Sequence, residues 1–198
     1  MAISPKDVSE LRGRTGAGMM DCKKALEEAS GDMEKASEIL RKKGIAKAEK
    51  RAGKSASQGI VVSYLHHNGQ VGALVELNCE TDFVARTDDF QLLAREIALH
   101  VASADPIGVN PEDVPAELLE RERRIAEDQV EKEGKPENIR AKIVDGKLKK
   151  FVAERTLTEQ VFVKDDKKTV GQLIKETSAK VGEAVSVKRF ARFKVGEA

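Results

Sequence analysis

Apolar and polar residues alternate through Val71, Ala73, Val75, Leu77 and Cys79, a pattern that predicts a strand with one buried face. Eleven residues beyond Cys79 the period changes. Phe90, Leu93, Ala94, Ile97, Ala98 and Val101 repeat at helical spacing and predict a helix over 88–104. Thr87 ahead of Asp88 and Asp89 reads as its N-cap with acidic first-turn residues, which need no metal to explain them. Between strand and helix stands Thr81-Asp82-Phe83-Val84. A phenylalanine in so short a connection either pins the loop to the core or is held out for a partner. Lone exposed aromatics being ordinary, the residues alone favour the pin.

Upstream, residues 4–44 read as three short helices. Ser4 caps the first, with Pro5 at N1, Asp7 in the first turn and Val8 and Leu11 as its apolar face. The second carries Cys22, Ala25, Leu26 and Ala29 and stops at Gly31. Asp32 caps the third, with Met33, Ala36, Ile39 and Leu40, which is expected to close at Gly44. Gly59–Leu65 and Gln70–Glu80 flank Asn68-Gly69 as a β-hairpin. His66 and His67, taken as strand neighbours, are expected on opposite faces and so unable to share a metal.

Downstream, a proline-punctuated loop over 105–115 precedes a charged helix over 116–133, expected to run along the outside. Gly134-Lys135-Pro136 breaks it, and Ile139, Ile143, Leu148, Phe151 and Val152 mark another helix, expected to be interrupted near Gly146. The box Thr169-Val170-Gly171-Gln172 starts a helix ended by Gly182. Ala184 to Val195 reads as a strand with inner face Val185, Val187, Ala191, Phe193 and Val195. Phe190 falls on the other face, so either a bulge near Lys188 and Arg189 shifts the register or both sides of this strand are covered. With the hairpin this strand makes a small antiparallel sheet flanked by helices, hence an α+β core. The expected organisation is a three-helix domain over 1–45, a basic linker over 46–58 and the α+β core over 59–198.

Composition narrows the function. Thirty-five basic and 34 acidic side chains leave a net charge of +1, so no whole-molecule field draws nucleic acid or an anionic membrane. Two cysteines give neither a disulfide framework nor metal-ligand spacing, which fits a reducing cytosol. No apolar run approaches ~18 residues and no secretory leader is seen, so neither a membrane span nor export is expected. Gly13 and Gly18 have the spacing of a phosphate loop, but Met19 and Met20 stand where lysine and serine or threonine are required. The basic run Arg41, Lys42, Lys43, Lys47, Lys50, Arg51 and Lys54 could be an RNA-binding arm. Without interleaved aromatics it reads better as a solvated connecting helix or linker. Cys79 has no histidine near it in sequence and reads as a small core residue.

Two long motifs carry a family resemblance. Asn78-Cys79-Glu80-Thr81-Asp82-Phe83-Val84-Ala85 closely resembles the core motif of bacterial translation elongation factor Ts, and Leu11-Arg12 through Thr15-Gly16-Ala17-Gly18-Met19-Met20-Asp21-Cys22-Lys23-Lys24-Ala25 to Leu26 resembles that family's N-terminal motif. The resemblance runs through Val187-Lys188-Arg189-Phe190-Ala191-Arg192-Phe193 and suits the family's short, single-core form. It implies a ubiquitin-associated-like three-helix domain at the N-terminus. It also implies a cytoplasmic guanine nucleotide exchange factor for elongation factor Tu, binding both its GDP-loaded and nucleotide-free forms. No catalytic chemistry, cofactor, metal, stable nucleic-acid binding or membrane contact of its own is implied. Thr81, Asp82, Phe83 and Val84 would then displace the partner's Mg²⁺, and Leu11, Arg12, Thr15, Gly16, Ala17, Gly18, Met19 and Met20 would dock on its nucleotide-binding domain. One core where longer relatives have two, and Phe190 left on the outer side of the last strand, imply a homodimer. A general RNA-binding module and a small cysteine- or metal-dependent enzyme are the other two readings. The first lacks stacking aromatics, the second a nucleophile, base or ligand cluster.

Overall fold

The computed structural model describes residues 3–51 and 54–197. Ala52 and Gly53 of the expected linker, with Met1, Ala2 and Ala198 at the ends of the expected domains, lie outside the described residues. The chain is α+β, with eight α-helices and five strands among the described residues, named here in order. Three helices come first: α1 Pro5–Thr15, α2 Met19–Glu28 and α3 Met33–Arg51. Strands β1 Gln58–Leu65 and β2 Val71–Cys79 follow, then the single turn α4 Asp82–Ala85 and the helix α5 Asp88–Ala104. Beyond a short 3-10 turn come α6 Ala116–Lys132, α7 Glu137–Arg155, β3 Val161–Phe162, β4 Asp165–Thr169, α8 Val170–Val181 and β5 Val185–Lys194. The main sheet has the order β1-β2-β5. By compactness the chain divides into one unit of Met1–Val62, Glu76–Glu96 and Leu173–Lys188 and another of Ser63–Val75, Ile97–Gln172 and Arg189–Ala198.

In the first unit, α1, α2 and α3 enclose a core of Val8, Leu11, Cys22, Ala25, Leu26, Ala29, Ala36 and Leu40. Ser4 and Asp7 form a reciprocal capping box at the start of α1, as the sequence predicts. The expected stop at Gly44 is corrected: α3 continues to Arg51, so residues 46–51 of the expected linker are helix. Gly44 is there because α3 and α8 touch. A Cβ on it would lie 2.9 Å from the Cβ of Ala179, closer than two side-chain carbons can sit. Val84, Ala85, Phe90, Leu93 and Ala94 are buried, and Thr87 caps α5 by accepting from the Phe90 N–H at 3.4 Å.

The second unit holds the hairpin tip and the helical pair α6 and α7. Ala126, Val130 and Val144, with Ile143 and Leu148, form a small core between these helices. The interruption expected near Gly146 is corrected: α7 is continuous, and a Cβ on Gly146 would meet nothing within 4 Å. His66 and His67 also differ from expectation. Both lie beyond the end of β1, where the turn closes through the His66 N–H to Val71 O bond, and their rings stand 4.2 Å apart rather than on opposite faces. The β3–β4 ribbon escapes periodicity analysis, since its pairing Val161 to Thr169 and Phe162 to Asp165 involves only two residues of β3. The capping box at Thr169 and Gln172 forms as predicted.

Along β5 the buried parity changes. Val185 and Val187 are buried, whereas beyond them Phe190 and Arg192 are the covered residues and Ala191, Phe193 and Val195 are exposed. The expected inner face is therefore corrected for the second half of the strand. Arg192 supplies the reason: its Nε donates to Ala102 O at 3.1 Å near the C-terminal end of α5, and its guanidinium pairs with Asp105 at 3.3 Å. Cation and helix C-terminus attract each other there.

His100 is fully buried and held as one neutral tautomer. Its Nδ1 accepts from the Val163 N–H at 3.3 Å, leaving Nε2–H to donate to Gln160 Oε1 at 3.0 Å, while the Gln160 amide donates to Ala104 O and Glu154 O. Burial pushes its pKa below the ordinary histidine value, against the smaller upward pull of Gln160. The unfolded chain thus takes up a proton near pH 6.5 that the folded chain refuses, so stability is lost as pH falls below about 6.5. In urea unfolding the midpoint is expected to drop between pH 7 and pH 5, above the range where carboxylates titrate. His100→Gln should flatten that drop; an undiminished drop in the variant would trace it to other groups.

Candidate partner-binding site

Two apolar protrusions belong to the first unit, each on a short turn that local hydrogen bonds stiffen. The first is the α1–α2 connection. Gly16 takes the left-handed conformation, φ 68°, and its N–H donates to Arg12 O at 2.8 Å. Thr15 Oγ1 donates to Leu11 O at 2.7 Å and accepts from the Ala17 N–H at 3.3 Å, so one hydroxyl ties the end of α1 to the turn. Gly18 begins α2 without a side-chain cap. Met19 and Met20 follow at 50% and 63% exposure, and neither serves the core. Leu11, by contrast, is fully buried and supports the turn from within, while Arg12 is exposed.

The second protrusion is α4. Thr81 is its N-cap and accepts from the Val84 N–H at 3.4 Å. Val84 and Ala85 are buried, Asp82 pairs with Arg86 at 3.0 Å, and Phe83 stands 79% exposed. The core-pin reading of Phe83 is therefore wrong for the free chain: Val84 and Ala85 do the pinning. Leaving a phenylalanine in water forgoes ~1.5 to 3 kcal/mol of burial.

Residues outside the expected site hold α4 from behind. Glu183, just past α8, accepts from the Thr81 N–H at 2.9 Å and from Thr81 Oγ1 at 2.7 Å, across 102 residues of sequence. Glu80 accepts from the Ala184 N–H at 2.7 Å and from Arg51 at 3.1 Å, with Lys54 at 3.7 Å. The Ala184 N–H first, then Lys54 and Arg51, hold the Glu80 carboxyl below the usual range. Cys79 is buried behind the turn, its Sγ donating to Thr81 O. Burial, then the nearby Glu183 charge, pushes its thiol pKa up, so it is a poor nucleophile.

Much of the basic run is already occupied. Lys42 pairs with Glu38, Lys43 with Glu28, Lys47 with Asp21, and Arg51 and Lys54 with Glu80. These surface pairs add little stability, but they cancel the field an RNA strand would need. Among the described residues no helix is long and apolar enough to cross a membrane.

Known proteins resemble this chain along nearly its whole length. The sequence profile of the family described as "Elongation factor TS" matches residues 19–197. Elongation factor Ts of Desulfosudis oleivorans is 56% identical over 195 residues, covering 98% of each chain. That of Thermosipho melanesiensis is 57% identical over 195 residues, covering 98% of this chain and 100% of its own, and that of Fervidobacterium nodosum is 53% identical over 197 residues, covering 100% of both. The chain belongs to the elongation factor Ts family.

Proposed function

We propose that this protein is a cytoplasmic guanine nucleotide exchange factor for elongation factor Tu, promoting GDP release without catalytic chemistry of its own. The observation that supports this best is Phe83, 79% exposed on a turn whose flanking residues are buried. A GTPase grips its nucleotide through backbone N–H groups around the phosphates and through Mg²⁺ bridging phosphate oxygens. An apolar wedge driven beside that site shifts both. Thr81, Asp82, Phe83 and Val84 form the wedge segment: Phe83 enters the partner, Thr81 and Val84 hold it at the right height, and Asp82 is paired with Arg86 beside it. Leu11, Arg12, Thr15, Gly16, Ala17, Gly18, Met19 and Met20 form the docking turn, with the methionines as its adaptable apolar contact.

The work division follows the expected domains: residues 1–45, a ubiquitin-associated-like helical module, dock; 46–58 connect; 59–198 wedge and self-associate. Exchange requires tighter binding to the nucleotide-free partner than to the loaded one. A coupling of ~4 kcal/mol would weaken the nucleotide about a thousandfold.

A homodimer fits an exposed apolar face of the sheet in the second unit. Leu65, Leu74, Phe193 and Val195 are 70%, 46%, 69% and 73% exposed, and these residues replace Phe190, which is partly covered, as the apolar surface offered to a second copy. A two-fold axis buries each residue twice.

Three outcomes are expected. The protein speeds GDP release from elongation factor Tu and hydrolyses no nucleotide alone; release unchanged at saturating protein would sink the reading. Phe83→Ala keeps its melting temperature within about 2 °C, since the ring makes little core contact. It binds nucleotide-free partner roughly 10-fold to 200-fold more weakly and loses most exchange, with a smaller loss toward the GDP-loaded form. Light scattering at micromolar concentration gives a dimer mass, and Phe193→Glu gives a monomer with an unchanged circular dichroism spectrum. A wild-type monomer would refute the dimer.

A further inference from the structure

Glu183 and Glu80 form a reciprocal clamp behind the exposed turn. Each carboxylate reaches across to the other's connection: Glu80, at the end of β2, takes the Ala184 N–H, and Glu183, in the α8–β5 connection, takes the Thr81 N–H and hydroxyl. Both donors on Thr81 go to different oxygens of one carboxylate, which fixes its rotation as well as its position. Thr81 is the N-cap of α4, and Phe83 lies two residues on. Glu183 is itself fixed. The Gly182 N–H donates to Ser178 O at 2.9 Å and Ser178 Oγ donates to Glu183 O, so the carboxylate stands on the terminated end of α8.

We propose that Glu183 is a positioning residue for the Phe83 wedge, with Glu80 as its counterpart; the inference rests on the exchange reading above. Satisfying two N–H groups would take any acceptor. Holding both donors of one residue in a bidentate grip, and doing so with a second carboxylate crossed over the first, restricts the turn far more than either bond alone. Glu80 extends the restraint to α3 through Arg51, and α3 reaches the docking turn through the Lys47–Asp21 pair beside Met20. The wedge is thereby held at a set reach from the docking turn. The clamp should therefore set how well a docked partner is opened, not how well it is held.

Glu183→Gln keeps the shape but turns an NH₂ toward one Thr81 donor. In GDP release from elongation factor Tu, measured against concentration of the full-length protein, it is expected to lower the maximal rate on the order of 10-fold. The half-saturating concentration, governed by docking, should stay within about twofold. The chain contains no tryptophan. Phe83→Trp therefore supplies a single reporter, whose time-resolved anisotropy should show larger local motion when Glu183→Gln is added. Should Glu183→Gln unfold, Glu183→Asp replaces it, keeping the charge but drawing the oxygens back by one methylene, with the same expected split. A folded variant with wild-type maximal rate, a loss confined to the half-saturating concentration, or unchanged motion at position 83 overturns the proposal. Wild-type protein that fails to speed release overturns the exchange reading, and this inference with it.

Discussion

Helix α3 can run unbroken from Met33 to Arg51 beside α8 only because residue 44 has no side chain. With any Cβ there, contact with Ala179 at 2.9 Å would force the two helices apart. Much else in the first unit depends on that closeness. It lets the Lys180 side chain lie over Gly16 of the α1–α2 turn, 3.0 Å from where a Cβ would be, while its ammonium reaches Asp89. It also carries Arg51, eighteen residues along the helix from Met33, to Glu80. A glycine inside a helix weakens it by roughly 1 kcal/mol relative to alanine. Here the loss is local and the return is a helix that joins the α1–α2 turn at one end to the α4 turn at the other.

The same position shows where reading the sequence falls short. Gly44 follows an apolar periodic segment and a cluster of basic residues, which is also how a helix C-terminus looks. Nothing in the local pattern distinguishes a terminating glycine from one admitting a neighbour that arrives 135 positions later. Gly146 misled in the same way for a different reason: it lies on an open face of α7, where a missing side chain is merely tolerated. Elements whose causes are local were legible, among them the Ser4 and Thr169 caps, the alternation of β2 and the periodicity of α5. The parity change in β5 was legible only as a choice, because it is decided by what Arg192 finds at Ala102 and Asp105.

The site divides along the same line. The exposed residues Met19, Met20 and Phe83 lie within contiguous motifs, so the sequence could bring them forward, although the bare residue types favoured a core role for Phe83. Glu183 could not have been found that way. Its partner Thr81 is 102 residues distant, and a lone glutamate after a helix-ending glycine looks like surface. The basic run shows the converse. Its charges are conspicuous in sequence, yet carboxylates on α2, α3 and the β2 end pair with five of the seven in the fold.

Placing large apolar side chains in water on stiff turns has a thermodynamic logic. A flexible wedge would lose rotamer and backbone freedom on entering a partner, and ordering each such residue opposes binding by about 1 to 2 kcal/mol. For the exchange activity proposed above, which requires favouring the nucleotide-free partner over the loaded one by a few kcal/mol, ordering three or four residues at that moment would consume the whole difference. In this chain the ordering is done during folding. The Thr81 cap, the buried Val84 and Ala85, and the Glu183 carboxylate fix α4 before any partner arrives. Methionine suits the other protrusion for the opposite reason: an unbranched side chain adapts to its contact, which fits the docking role proposed for it and would not fit the wedge role proposed for Phe83.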